Sequence, residues 1–217
     1  PRTDWQSETL IQFPTLTKRF KTFTLKVHEG SIKKGEVVGA VGPNATGKTT
    51  FVKILAGEIE PSTGELTSQV SVSYKPQYIK PEFEGTVREM LASAIGRDFE
   101  SGFFQAEVAH PLALKYLMEK DVDTLSGGEL QRVSIAECLG KTADIYLLDE
   151  PSAYLDSNQR MIASKTIRRV IEKVGRSAFV VDHDVYMIDL ISDSLMVFSG
   201  EPSAKGDAVG PLHMRDG

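Results

Sequence analysis

An α/β fold with a mostly parallel central sheet follows from three features of this 217-residue chain. Short apolar runs alternate with segments of helical period along most of its length. A glycine-rich loop, Gly42-Pro43-Asn44-Ala45-Thr46-Gly47-Lys48-Thr49, stands between one such run and one such segment. Further on, Ile145-Tyr146-Leu147-Leu148 ends on two acids, Asp149-Glu150. A run this short and apolar suits a strand covered on both faces in a parallel sheet.

Taken in order, residues 1–7 are polar and read as a linker. Leu10, Ile11 and Phe13, then Phe23, Leu25 and Val27, predict two short strands, the second with alternation. Glu36 to Val41 is a strand that enters the loop, and Phe51, Val52, Leu55 and Ile59 place a helix from Lys48 to Ile59. Val70 to Tyr74 is the next strand. From Thr86 the period becomes helical, with Val87, Met90, Leu91, Ala94 and Ile95 on one face and Glu89 completing a capping box with Thr86. Residues 84–120 therefore predict a small helical subdomain, which the next helix extends to about 140. That next helix starts at a second capping box, Ser126 with Glu129, and carries Leu130, Val133, Ala136 and Leu139. Asp156 or Ser157 caps a helix burying Ile167, Val170, Ile171 and Val174. A strand at Ser177 to Val181, a short helix from Asp184 and a strand at Ser194 to Phe198 complete the alternation. Beyond Gly200 the composition turns to Gly and Pro, which predicts an irregular, hinge-like tail over 200–217.

The glycine-rich loop has the Gly-x-x-x-x-Gly-Lys-Thr spacing in which backbone N–H groups surround phosphates at a helix N-terminus. Lys48 then reaches the outer phosphates and the Thr49 hydroxyl serves Mg²⁺. Asp149, ending an apolar strand, suits a carboxylate holding Mg²⁺ through its water shell, and Glu150 suits a general base for the attacking water. The two adjacent glycines after Ser126 allow close approach of backbone to a phosphate.

Composition sets the bounds. The chain is 41% apolar with a net charge of −5, from 30 acidic and 25 basic residues, so nothing overall favours nucleic acid. It has no uncharged apolar run of about 18 residues and no signal-peptide pattern, which argues against a membrane span and for the cytoplasm. A lone Cys138 excludes an internal disulfide and a Cys-ligated zinc or iron–sulfur cluster within this chain. Starting at Pro1 without a methionine, the chain reads as a fragment of a longer protein.

Leu125-Ser126-Gly127-Gly128-Glu129-Leu130-Gln131, lying between the loop and Asp149-Glu150, resembles the signature motif of the ATP-binding cassette (ABC) ATPases. The resemblance covers about Leu10 to Phe198. It implies a phosphate-loop NTPase fold with a mostly parallel core sheet, an N-terminal antiparallel β subdomain and a small helical subdomain, with the nucleotide-binding domain over 8–199. ATP and Mg²⁺ are the implied cofactors. Gly42, Pro43, Asn44, Ala45, Thr46, Gly47, Lys48, Thr49 and Thr50 would bind ATP, and Thr49, Gln77 and Asp149 would serve the metal. Glu150 and His183 would be catalytic, His183 as the switch histidine that senses the γ-phosphate; His28, His110 and His213 carry no such role. Phe20 is the better-placed residue to stack on adenine, with Phe23 its rival. Ser126, Gly127 and Gly128 would act in trans, on nucleotide held by a second cassette, and Ser152 to Asp156 resembles the loop that crosses that interface.

Within that family, 42–50, 125–133, 149–156 and the tail resemble the second cassette of the E subfamily, the ribosome-recycling ATPases also called RNase L inhibitors. Implied partners are a second cassette and, through the parent protein, the small ribosomal subunit, with no membrane. The alternative is the ATP-binding subunit of a membrane transporter. A coiled-coil DNA-repair cassette is disfavoured, because the stretch between Lys48 and Leu125 is too short for the long insertion it would need.

Overall fold

Strand after strand in this chain splits its side chains between two cores, and that alternation is what orders the sheet. The protein is described by a computed structural model covering residues 8–67, 69–78 and 82–213. The expected linker 1–7 and the end of the tail, 214–217, lie outside the described residues. The β-strands are β1 (Thr9–Phe13), β2 (Leu16–Arg19), β3 (Thr24–Val27), β4 (Gly30–Lys33), β5 (Val37–Val41), β6 (Val72–Lys75), β7 (Ile145–Asp149), β8 (Ser177–Val181), β9 (Ser194–Glu201) and β10 (Lys205–His213). The α-helices are α1 (Lys48–Leu55), α2 (Val87–Ile95), the single turn α3 (Gly102–Phe104), α4 (Gly127–Gly140), α5 (Ser157–Val174) and α6 (Val185–Ile191).

Eight strands form one sheet in the order β2-β3-β10-β9-β5-β8-β7-β6. Every neighbouring pair is parallel except β2 with β3 and β9 with β10. β1 and β4 make a separate antiparallel pair. On β7 and β8 every residue is buried. Ile145, Leu147, Phe179 and Val181 face one core, and Tyr146, Leu148, Ala178 and Val180 face the other. The period of two thus serves both faces of a sheet covered on both sides.

The first core is built around Phe51 on α1. Its ring lies 5.6 Å from Phe13 and 5.4 Å from Phe179, both edge-on, and 6.3 Å from Phe198. α1 stops at Leu55, short of the expected Ile59, where Ala56-Gly57 turns the chain, yet Ile59 still packs on the same core. The second core joins α4, α5 and α6 to the helical region, where α2, a 3₁₀ segment (Gly96–Glu100), α3 and a π-type turn (Gln105–Ala109) bury Leu91, Phe99, Phe104 and Val108. All three N-terminal signals read from sequence form capping boxes: Thr86 with Glu89, Ser126 with Glu129 and Asp156 with Gln159. Asp184 caps α6.

The tail is where sequence and structure part. In place of an irregular connector, 205–213 form β10, inserted between β3 and β9. Its Gly and Pro content, taken as a sign of irregularity, has a packing cause. A Cβ on Gly206 would stand 2.0 Å from the carbonyl oxygen of Thr46, so only glycine lets this strand lie under the glycine-rich loop.

Candidate functional site

Strand β5 delivers the chain into the loop and α1 carries it away, so the loop's geometry is fixed from both ends. Gly47 is the N-cap of α1, with φ 101, and offers no side-chain cap to the first helical N–H groups. These groups, with the positive end of the helix, are left for an anion. Inside the loop the Thr46 hydroxyl donates to the carbonyl of Pro43 (2.6 Å), and Lys48 Nζ donates to the carbonyl of Gly42 (2.6 Å). Ser203, in the β9–β10 turn, donates its N–H to the carbonyl of Ala45 at 2.9 Å. The tail therefore braces the loop as well as packing beneath it.

A cavity of about 480 Å³ opens over the loop. Asn44, Ala45, Gly47, Lys48, Thr49 and Thr50 line it, with Gln77, Glu150 and His183 across from them. Gly42, Pro43 and Thr46 shape the loop from behind through the bonds just given. Lys48 is 7% exposed, and burial draws its pKa below the ordinary lysine value, opposed by the charges of Glu150, Asp149 and Asp182. A cation held partly dry beside acids is primed for a more negative ligand.

Asp149 is fully buried at the end of β7, and neither carboxylate oxygen has a hydrogen-bond partner. Burial pushes its pKa up; the nearby Thr49 hydroxyl counters this, although that hydroxyl donates to Gln77 Oε1 at 3.3 Å. Two orphaned carboxylate oxygens beside a hydroxyl and an amide oxygen form an oxygen donor set of the kind Mg²⁺ takes, completed by water and phosphate. The residues present thus fit the metal that the sequence implied.

Glu150 sits one residue further on, where the chain leaves the sheet in a left-handed turn (φ 56). Its pKa is pushed up to about 7, first by burial and then by the charges of Asp182 and Asp149, with the His183 backbone N–H and Lys48 pulling the other way. His183 Nε2 lies 3.2 Å from Glu150 Oε2, so the two expected catalytic groups stand side by side. A carboxylate tuned near neutrality is matched to accepting a proton from water.

Three placements were not legible in the sequence. Phe20, expected against adenine, does not line the cavity; Thr22 and Phe23 do. The β2–β3 turn is closed by the Phe20 N–H on the Phe23 carbonyl at 2.7 Å, and the Phe20 ring, 45% exposed, stacks against that of Phe23 at 6.4 Å. Asp182, 3% exposed, accepts from the Ser152 N–H and hydroxyl and from the Asp184 N–H, tying the 152–156 loop to the His183 loop. An acid ending an apolar strand was the available signal. Lys75, 1% exposed, donates to the carbonyls of Asp149 (2.7 Å) and Glu150 (3.3 Å).

Ser126, Gly127 and Gly128 are not among the residues lining this cavity. Ser126 and Gly127 are exposed at the start of α4. A Cβ on Gly127 would meet the ring of Tyr154 at 3.2 Å, and one on Gly128 its carbonyl at 2.9 Å.

A left-handed cradle at a helix start, a lysine within it and a buried acid ending β7, two strands over from β5, define a phosphate-loop NTPase fold. The chain belongs to the ABC family: the family model described as ABC transporter matches residues 25–153. Among its relatives are members of the E family. The chain is 44% identical over 171 residues to "ABC transporter E family member 3" of Arabidopsis thaliana, covering 76% of this chain and 94% of that protein. It is 45% identical over 207 residues to "Translation initiation factor RLI1" of Saccharomyces cerevisiae, covering 95% of this chain but 34% of that protein. The chain thus spans about a third of the length of this longer relative. Among solved structures it matches the archaeal ribosome recycling factor aABCE1, determined in complex with the archaeal ribosomal stalk protein aP1, at a TM-score of 0.96 and 52% identity, over 100% of this chain and 42% of that one. No helix among the described residues is long and apolar enough to cross a membrane.

Proposed function

We propose that this chain is the second nucleotide-binding cassette of a ribosome-recycling ABC ATPase, hydrolysing ATP at a site completed by another cassette. The observation that carries the reading is the separation of parts: the cavity gathers Lys48, Thr49, Gln77, Glu150 and His183, while the signature lies outside it, exposed. A nucleotide held here would have its outer phosphate open toward the signature of the other cassette. The ribosomal role draws on similar proteins: a translation initiation factor and a ribosome recycling factor bound to a stalk protein.

In this mechanism the loop N–H groups and Lys48 bind the phosphates, and Thr49, Gln77 and Asp149 would hold Mg²⁺. When bound, Mg²⁺ would supply neutralisation of the charge that grows on the phosphates. Glu150 accepts the proton of the attacking water, and His183 Nε2 keeps the carboxylate turned into the cavity. Closure on the partner excludes bulk water; hydrolysis removes the group that both halves grip, and the pair reopens. That change of angle is the mechanical output that would separate ribosomal subunits.

The test is made on the full-length protein. Wild type with Mg-ATP is expected to release phosphate and to convert ribosomes to subunits on sucrose gradients, whereas Glu150→Gln keeps nucleotide, stays closed and does not turn over. Phosphate release by Glu150→Gln at the wild-type rate would overturn the base assignment. Intact ribosomes beside full ATPase activity would overturn the recycling role and leave the ATPase standing.

A further inference from the structure

Glu150 occupies a backbone conformation that a residue with a side chain adopts only when its surroundings hold it there, at φ 56. The holding groups can be named. Its N–H donates to the carbonyl of Val181 at 2.7 Å, which fixes one side of the peptide. Its carbonyl accepts from Gln131 Nε2 at 2.6 Å, from Lys75 Nζ at 3.3 Å and from the Ala153 N–H at 3.2 Å. Lys75 Nζ also donates to the Asp149 carbonyl at 2.7 Å. Both side chains are 1% exposed, so neither is there to meet solvent.

We propose that Lys75 and Gln131 are positioning residues for hydrolysis: together they grip the carbonyls at the end of β7 and hold Glu150 in the left-handed turn that aims its carboxylate into the nucleotide cavity. A lysine buried at the end of a strand and a glutamine buried on a helix are both costly unless each bond they make has a use. Here their donors converge on two successive carbonyls, those of the metal-binding candidate and the base candidate. Lys75 comes from β6, two residues before Gln77, and Gln131 comes from α4, little more than one turn after Ser126. The grip therefore joins the base to the strand leading to the metal side and to the helix that begins with the signature. Neither side chain lines the cavity, so nucleotide affinity should not depend on them.

This inference rests on the reading of Glu150 as general base. The experiment compares Gln131→Met and Lys75→Met with Glu150→Gln in the full-length protein, measuring kcat, KM, affinity for a non-hydrolysable ATP analogue and melting temperature. Loss of either donor is expected to lower kcat about 10- to 100-fold, the usual effect of misplacing a reacting group by about an ångström, with analogue affinity kept within about twofold. Adding Gln131→Met to Glu150→Gln should produce no further loss of residual turnover, because the base being aimed is already gone. A kcat within about twofold of wild type in both single variants, or a loss of kcat matched by an equal loss of analogue affinity, would overturn the grip. Should Lys75→Met fail to fold, the uncharged swap at Gln131 carries the test alone. Wild-type turnover in Glu150→Gln is a separate result and would overturn the base reading itself.

Discussion

Replacing Glu150 by Gln should stabilise the protein in the absence of nucleotide and metal, and only at neutral to alkaline pH. Glu150 is 5% exposed, and burial with the neighbouring charges of Asp182 and Asp149 lifts its pKa from 4.5 to about 7. Below pH 4.5 the acid is protonated whether the chain is folded or not, and it makes no difference to stability. Between 4.5 and about 7 the folded chain keeps a proton that the unfolded chain has lost, so stability falls as pH rises. Above 7 both forms are ionised, and the folded state carries a full penalty of about 3 kcal/mol. Gln removes that penalty and forfeits the contact with His183, which at 60% side-chain exposure is worth at most about 1 kcal/mol. The net gain at pH 8 is therefore about 2 kcal/mol, or about 4–8 °C in Tm for a domain of this size, and less than about 1 kcal/mol at pH 5. Thermal unfolding of both proteins in EDTA at the two pH values checks this. An equal Tm difference at pH 5 and pH 8, or a variant less stable at pH 8, would refute the view that burial of this carboxylate stores free energy in the empty site.

Other expectations concern binding and the loop. Lys48→Ala should weaken ATP binding about 10- to 100-fold by calorimetry, since it removes a charged donor from the phosphate cradle. Phe23→Ala should cost about 1–3 kcal/mol of ATP affinity if its ring carries the base, while Phe20→Ala should stay within about twofold; the reverse ranking would restore Phe20. Gly206→Val should lower Tm and weaken ATP binding together, because the added side chain must push on the Thr46 carbonyl; a variant with unchanged nucleotide affinity would show that the tail does not set the loop.

What the sequence made legible were features with local causes. The capping boxes at Thr86 and Ser126 depend on side chains three residues apart and both formed, and of the two caps open for the third helix the structure uses Asp156. The cradle's glycines and Lys48 depend on a strand–loop–helix run within one stretch of chain, and the acids at 149–150 on an apolar run just before them. The features that escaped depend on distant pairings. β10 hairpins with β9 but lies with its other edge beside distant β3, and its glycines and proline read as irregularity until the Thr46 carbonyl is seen against Gly206. Phe20 and Phe23 are three residues apart in one turn, and only the turn's closure decides which ring reaches the cavity. Lys75 and Gln131 carry no local signal for their role, and their shared target appears only when β6 and α4 meet the end of β7.

The glycine pair of the signature shows how one sequence feature answers to two demands. Approach to a phosphate would require bare backbone at 127–128, and the fold already asks for it at Gly128, whose Cβ would stand 2.9 Å from the Tyr154 carbonyl, while one on Gly127 would crowd the exposed Tyr154 ring at 3.2 Å. Tyr154 itself is 74% exposed and left-handed, at φ 66, two residues after Ser152, whose N–H and hydroxyl both donate to Asp182. Asp182 directly precedes His183, which faces Glu150. From the exposed signature to the base the path therefore runs through packed and hydrogen-bonded groups. A partner meeting Ser126 and Tyr154 would press on a surface whose position is set by the same buried acid that orders the His183 loop. Gly128, whose Cβ would meet the Tyr154 carbonyl, is therefore set by the cassette's own packing whatever ligand the signature meets.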